Sequence, residues 1–376
     1  MKTQPIRILH IASGDLWAGA EVQLYYLAKA LHAAEGVTLK VLLLNPGELQ
    51  QRLAANGIDV DVIDERQHGL FSLFSNAKEI AQTFKPNVIH THRYKENILG
   101  SLIAKQFPGT RSVRTVHGAQ EIDSPWWRID QRLIQAMDHY CGNKLQDKII
   151  AVSADLAEKL KSTYRPEKIT VIENGIDVGE VHKAANTPVT LPGPDNNIKI
   201  AIICRLVPVK RVDIFLNIIQ LLEQQQPGKY SGYIFGDGPL EADLKQQSLS
   251  HNINHCTHFM GFKTNILAYL NQMNCLLITS DHEGLPMNAL EALSLGKYII
   301  THAVGGLPTV LHQGKYGALV NTQDPAHYVD AIIEKTSRIN NDAYDDEAIA
   351  PYTSENNRIQ YITVYQRLTR SIQPSK

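Results

Sequence analysis

The chain has 376 residues, a hydrophobic fraction of 43% and a formal net charge of −1. That length suffices for two domains with real cores, and the balanced charge excludes the basic stripe of a nucleic-acid-binding surface. The four cysteines, Cys141, Cys204, Cys256 and Cys275, show no metal or redox spacing. Cys204 and Cys275 fall in apolar runs where a thiol behaves as a small hydrophobe, which points to a reducing, cytoplasmic setting.

In chain order, the opening MKTQPIRILHIASG carries no apolar stretch long enough for a signal peptide, and no later run approaches a transmembrane span. The expectation is a soluble protein, with peripheral contact at the inner face of a membrane left open. Strands are predicted at IRILHIAS, LKVLLLN, VDVID, NVIHTH, SVRTVHG, IIAVS and ITVIEN, and again at IKIAIICR, YSGYIFGDG, THFMGF, CLLITS, YIITH and GALV. Helical patterns separate them, which is the signature of parallel sheets wrapped by helices. VGEVHKAANTPVTLPGPDNN, rich in polar residues, Pro and Gly, reads as a linker. The reading therefore has an N-terminal α/β domain at 1–180, a C-terminal one at 181–352, and an amphipathic last helix at 353–376 that packs back on the first domain. Two such doubly wound domains would face each other across a cleft.

Several short stretches carry chemistry. SGDLWAGAEVQL, after the first strand, brings a helix start to Gly19, where the backbone can approach an anion; it lacks the spacing of dinucleotide-binding loops. HTH puts His90 and His92 on one strand face, but no nearby residue supplies a third metal ligand. TVHG ends a strand at His117, aimed at the expected cleft. Arg205 and Lys210 leave the first strand of the second domain together, as a fork donor and a mobile point charge for phosphate oxygens. FGDGP reads as a structural glycine turn. The acid pair Asp59 and Asp61 lies within a strand and is discounted as a metal site.

The richest stretch is SDHEGLPMNALEALSLG. It follows a buried strand and reads as a tight loop carrying Glu283, then a helix with Pro286 at its first position and Glu291 in its second turn. Two further stretches, GLFSLF at 69–74 and SPWWRIDQRL at 124–133, either touch a lipid-linked acceptor or pack as helices.

Taken in order, WAGAE, HTH, TVHG, AVS, VIENGID, CRLVPVK, FGDGPL, FMGF and the paired-glutamate segment resemble a retaining glycosyltransferase of family 4, with the GT-B fold. The resemblance runs nearly end to end, and the Glu-x7-Glu segment is its most specific part. It implies that Glu291 binds ribose hydroxyls, that Glu283 contacts the transferred sugar, and that Arg205 and Lys210 hold the diphosphate. Backbone near Phe262 and Lys263 would meet the base, Gly19 would approach the phosphates, and His117 would bond the sugar. Gly284, Leu285, Met287 and Asn288 complete the donor set. Four positions depart from the family pattern: Ala18, Cys204 and Arg211 stand where glycine is usual, and Thr309 where glutamate is.

The implied reaction moves a sugar from a nucleotide diphosphate sugar, UDP- or GDP-linked, to a carbohydrate or lipid-linked acceptor, with no metal or other cofactor. The alternatives are a nucleotide-sugar epimerase on the same fold and a catalytically degenerate sugar-nucleotide-binding subunit.

Overall fold

The structure is a computed structural model that describes residues 5–118, 129–337 and 346–370. It divides into two compact units, Met1–Gly175 with Tyr352–Lys376, and Ile176–Pro351.

The first unit is built on seven strands: β1 Ile6–Ala12, β2 Val37–Leu43, β3 Asp59–Val62, β4 Val88–Thr91, β5 Arg111–Val116, β6 Lys148–Ala151 and β7 Ile169–Val171. All pair in parallel, in the order β3-β2-β1-β4-β5-β6-β7. The second unit carries β8 Ile198–Ile203, β9 Tyr230–Phe235, β10 Thr257–Gly261, β11 Cys275–Ile278, β12 Tyr298–His302 and β13 Gly317–Val320. These are parallel too, in the order β10-β9-β8-β11-β12-β13. All thirteen lie where the apolar runs placed them. Strands such as IKIAII and CLLI read as nearly unbroken apolar runs because helices cover both sheet faces.

Strand order reverses between β1 and β4 in one sheet and between β8 and β11 in the other. Chains leaving such a pair diverge to opposite faces and open a crevice at the strands' carboxyl ends, which is where ligands bind in open α/β sheets. Each unit therefore offers its own crevice.

One detail differs from the sequence reading. The first eight residues of the expected linker form a helix, Val178–Ala185, capped by Asp177, whose carboxylate accepts from the Glu180 amide at 3.0 Å. The apolar patterning of Val181 and Ala185 against the second unit outweighs the polar composition. GLFSLF takes the helical alternative: Leu70 to Phe74 open the helix Leu70–Phe84, in which Leu73 is buried and Phe74 packs on the core, while Leu70 and Phe71 stay 84% and 95% exposed. Packing thus accounts for the second pair and not the first. Of the tryptophan-bearing stretch at 124–133, residues 124–128, both tryptophans included, lie outside the described residues.

The helix Ser354–Arg370 belongs to the first unit. It buries Tyr361 and Tyr365, whose hydroxyls reach Thr115 Oγ1 at 2.9 Å and His90 Nδ1 at 2.6 Å. Among the described residues no helix is long and apolar enough to cross a membrane.

Candidate active site

In the second unit, the loops after β8 and β11 are tied together at the reversal of strand order. Pro208–Lys210 forms one turn of 3-10 helix, and the Lys210 ammonium donates to Glu283 Oε1 at 2.6 Å. The same oxygen accepts from Ser280 Oγ at 2.7 Å. Thr279 Oγ1 donates to the Lys210 and Arg211 carbonyls, both at 2.9 Å, and the Asp281 amide to the Val209 carbonyl at 2.9 Å. Lysine carries three N–H donors, so its bond to Glu283 leaves two for a ligand. Arg205, on the same loop, is exposed and makes no ion pair among the described residues.

Glycines shape this loop pair. A Cβ on Gly236 would lie 1.9 Å from the Cys204 carbonyl, and one on Gly238 would lie 2.5 Å from that of Leu206. The FGDGP turn is therefore the backing against which the Arg205 loop rests. Behind Glu283, Gly305 (φ +60°) would set a Cβ 2.2 Å from the Glu283 carbonyl oxygen, and the Gly306 amide donates to Gly284 O at 2.7 Å. Gly305 and Ser280 were missed in the sequence reading. The only signal was the VGG run itself, because its meaning depends on a contact across two loops.

The helix that follows is Met287–Ser294, with Pro286 extended at its N-cap (φ −71°, ψ 132°) rather than in the first helical position. Asn288 Nδ2 donates to the Ile203 carbonyl at 2.8 Å, stitching the helix start to the end of β8. Gly284, Leu285 and Met287 are buried, so what Gly284 and Met287 can offer a ligand is main-chain amide at a helix N-terminus, where the first turn leaves N–H groups without helical partners. Glu291 is 8% exposed, and its carboxylate has no hydrogen-bond or ionic partner among the described residues. Burial pushes its pKa up to about 7. Beyond β10, Phe262 is exposed and the Lys263 ammonium lies 5.8 Å from the Tyr269 ring.

The departures from the family pattern have local accounts at two positions. Arg211 sits in the left-handed region (φ 50°, ψ 47°), where glycine is at ease, and its guanidinium bonds Asp213 at 3.0 Å and Asp281 at 3.3 Å. Cys204 is packed against the second core, and burial raises its thiol to about 12, so it is no nucleophile. Nothing in the structure explains Thr309.

In the first unit, the helix Gly19–His32 begins at Gly19, and a Cβ there would meet nothing within 4 Å among the described residues. Two positions on, Glu21 is buried and held by Arg93 Nη2 at 2.6 Å; loss of water raises its pKa against the pull of that guanidinium. His117 follows β5, and its Nε2 lies 3.2 Å from His92 Nδ1. The third imidazole absent from the sequence reading of HTH comes from β1: His10 pairs in register with His90, and its Nδ1 lies 3.0 Å from His92 Nε2. Eighty residues of chain separate it from HTH, so only the strand order reveals the cluster. Asp59 and Asp61 both bind the Lys40 ammonium at 2.8 Å, which gives that acid pair a structural partner.

Two family models match this chain: Glycosyltransferase Family 4 over residues 17–180 and Glycosyl transferases group 1 over residues 187–340. A glycogen synthase from Mycobacterium tuberculosis is 26% identical over 67% of this chain and 60% of its own length. A UDP-Gal:alpha-D-GlcNAc-diphosphoundecaprenol alpha-1,3-galactosyltransferase from Escherichia coli is 25% identical over 84% of this chain and 87% of its own. Among solved structures, Anabaena Alr3699/HepE in complex with UDP and glucose superposes with a TM-score of 0.73, at 19% identity, over 98% of this chain and 99% of that one.

Proposed function

Because the chain belongs to the family 4 and group 1 glycosyltransferases of the GT-B fold, we propose that it moves a sugar from a UDP-sugar to an acceptor hydroxyl with retention of anomeric configuration, in polysaccharide or glycolipid synthesis. The bond from the sugar's anomeric carbon to the diphosphate breaks, and the acceptor oxygen bonds that carbon on the same face. The acceptor's proton leaves with the diphosphate oxygen. The observation that carries this reading is the Lys210–Glu283 pair, with exposed Arg205 beside it, at the strand-order reversal of the second sheet. Departure of the diphosphate builds negative charge, and fixed cations with a helix N-terminus stabilise that charge without reorganising. The Anabaena structure is a complex with UDP, and the E. coli relative is named for a UDP-linked donor; both favour that base.

The test is turnover of UDP-, GDP- and ADP-sugars with glycan and lipid-linked acceptors, the product's anomeric configuration being read by NMR. Retained configuration with a UDP-sugar is the expected result, and activity should survive excess EDTA, since two side-chain cations and helix-end amides serve the diphosphate. Inversion, or loss in EDTA restored by manganese, overturns the corresponding part. Donor binding without turnover would mark a binding subunit instead.

Glu291 makes a separate expectation. A carboxylate accepting from ribose hydroxyls must be ionised, yet burial holds its pKa near 7 in the free protein. Below that pH, donor binding therefore has to release a proton, so affinity weakens as the pH falls from 7 to 5. Calorimetry with a UDP-sugar, whose diphosphate exchanges no proton in this range, should show release of about one proton at pH 6 in buffers of different ionisation enthalpy. Glu291→Gln should abolish that release and weaken binding, whereas Glu283→Gln should spare affinity and reduce transfer. A buffer-independent enthalpy at pH 6 in the wild type rules out the ribose role.

A further inference from the structure

Four imidazoles stack behind the carboxyl edge of the first sheet, and of these the family resemblance gives a role only to His117, as a contact of the transferred sugar. His10 and His90 are fully buried, His92 nearly so, and ring centroids are 4.8 Å apart for His90–His92 and 5.5 Å for His92–His117. A metal ion has little to bind here. Both nitrogens of His90 are engaged, by the Tyr365 hydroxyl at 2.6 Å and Thr115 Oγ1 at 2.9 Å, and both nitrogens of His92 face other imidazoles. The one ring nitrogen of the three that has no partner among the described residues is His10 Nε2.

Desolvation lowers the pKa of all four rings, so each is neutral and carries a single N–H. His92 can then donate through only one nitrogen and must accept through the other. If it donated to His10 Nδ1, His10 would carry its proton on Nε2, as a buried donor with nothing among the described residues to receive it. If it donates to His117 Nε2, His10 Nδ1–H donates to His92, and the orphaned His10 Nε2 is a bare acceptor. Orphaned buried N–H donors are the rarer kind in proteins, which favours the second direction. His117 then has its proton on Nδ1.

We propose that His10 and His92 are positioning residues that keep His117 in its neutral Nδ1–H tautomer, so that this ring presents a hydrogen-bond donor to the ligand. The idea rests on the reading that His117 meets the transferred sugar, and it specifies what the sugar finds there: a donor to one of its oxygens.

The test reads the tautomer directly. In protein labelled with 15N-histidine, long-range proton–nitrogen correlation at pH 6 to 8 should give His117 the pattern of a neutral ring protonated on Nδ1, the signals being assigned by their loss in His117→Ala. An Nε2–H pattern, an imidazolium at pH 6, or metal-shifted signals from His10, His90 and His92 would each overturn the proposal. His10→Phe keeps a ring but removes the donor at the head of the relay. It should leave His117 as a mixture of tautomers and lower kcat on the order of tenfold, as with other partners that orient a ligand-contacting imidazole, with little change in KM. His10→Gln, which can still donate to His92, should restore most of it. If His117→Ala keeps full turnover, the sugar-contact reading fails while the tautomer result stands; if the tautomer is wrong, the proposal fails and that reading is untouched.

Discussion

Arg205→Ala and Lys210→Ala are each expected to lower turnover on the order of 10²–10³-fold, the cost typical of removing one preorganised stabiliser of transition-state charge. The two variants should differ in everything else. Arg205 is exposed and makes no ion pair among the described residues, so its removal leaves the fold's stability unchanged and the loss is purely kinetic. Lys210 is bonded to Glu283 at 2.6 Å, and the Glu283 side chain is only 10% exposed. Truncating the lysine leaves that carboxylate with Ser280 alone, so the midpoint of thermal unfolding should drop as well. Adding Glu283→Gln to Lys210→Ala should recover stability without recovering turnover. Near wild-type turnover in Arg205→Ala would remove the guanidinium from the chemistry.

The second large effect is expected at a residue that touches no substrate. Gly305→Ala forces a Cβ to within 2.2 Å of the Glu283 carbonyl oxygen, in a left-handed conformation at φ +60°. The collision is with backbone, which cannot swing aside, and the same loop is already tied by the 2.7 Å bond from the Gly306 amide to Gly284 O. Relief comes only by displacing the Glu283 segment, so folding should weaken by about 2–3 kcal/mol. Turnover of the folded fraction should fall on the order of 10²-fold, the penalty of a catalytic group displaced by about an ångström. Gly314→Ala is the control: its φ is +103° but a Cβ there meets nothing within 4 Å, so it carries the backbone strain without the collision. Equal losses in the two variants would mean that strain, not displacement of Glu283, is responsible.

Arg205 and Gly305 mark the limits of the sequence reading. The placement of Arg205, Lys210 and Glu283 on loops and of Glu291 in a helix was legible because the strand and helix boundaries follow from apolar periodicity and turn residues, whereas the roles expected of them came from the family resemblance. Gly305 and His10 were not legible. Their importance comes from what lies across a loop or on the next strand, which local patterning does not encode. The same limit explains the helix Val178–Ala185, where two buried residues set by tertiary packing decide a segment whose composition reads as linker. The Lys210–Glu283 bond was also hidden: the sequence presents a cation for phosphate and an acid for sugar, and only the geometry makes them partners.

The first unit is assembled from both sides of the second in the chain, and this has a consequence for how the protein is made. The last helix reaches back so that Asn357 Nδ2 bonds the Glu173 carbonyl at 2.6 Å, and Gly175 has no room for a side chain beside the Thr353 carbonyl. Bringing those two points together across an unfolded insert would cost about 5 kcal/mol in loop entropy. Folding of Ile176–Pro351 joins its own ends and removes most of that cost before the last helix docks. On a ribosome the insert is complete while the sheet that precedes it still lacks Tyr361 and Tyr365, so the buried side of His90 stays open to water. Closure around His90 and Thr115 therefore waits for synthesis to pass the helix Ser354–Arg370.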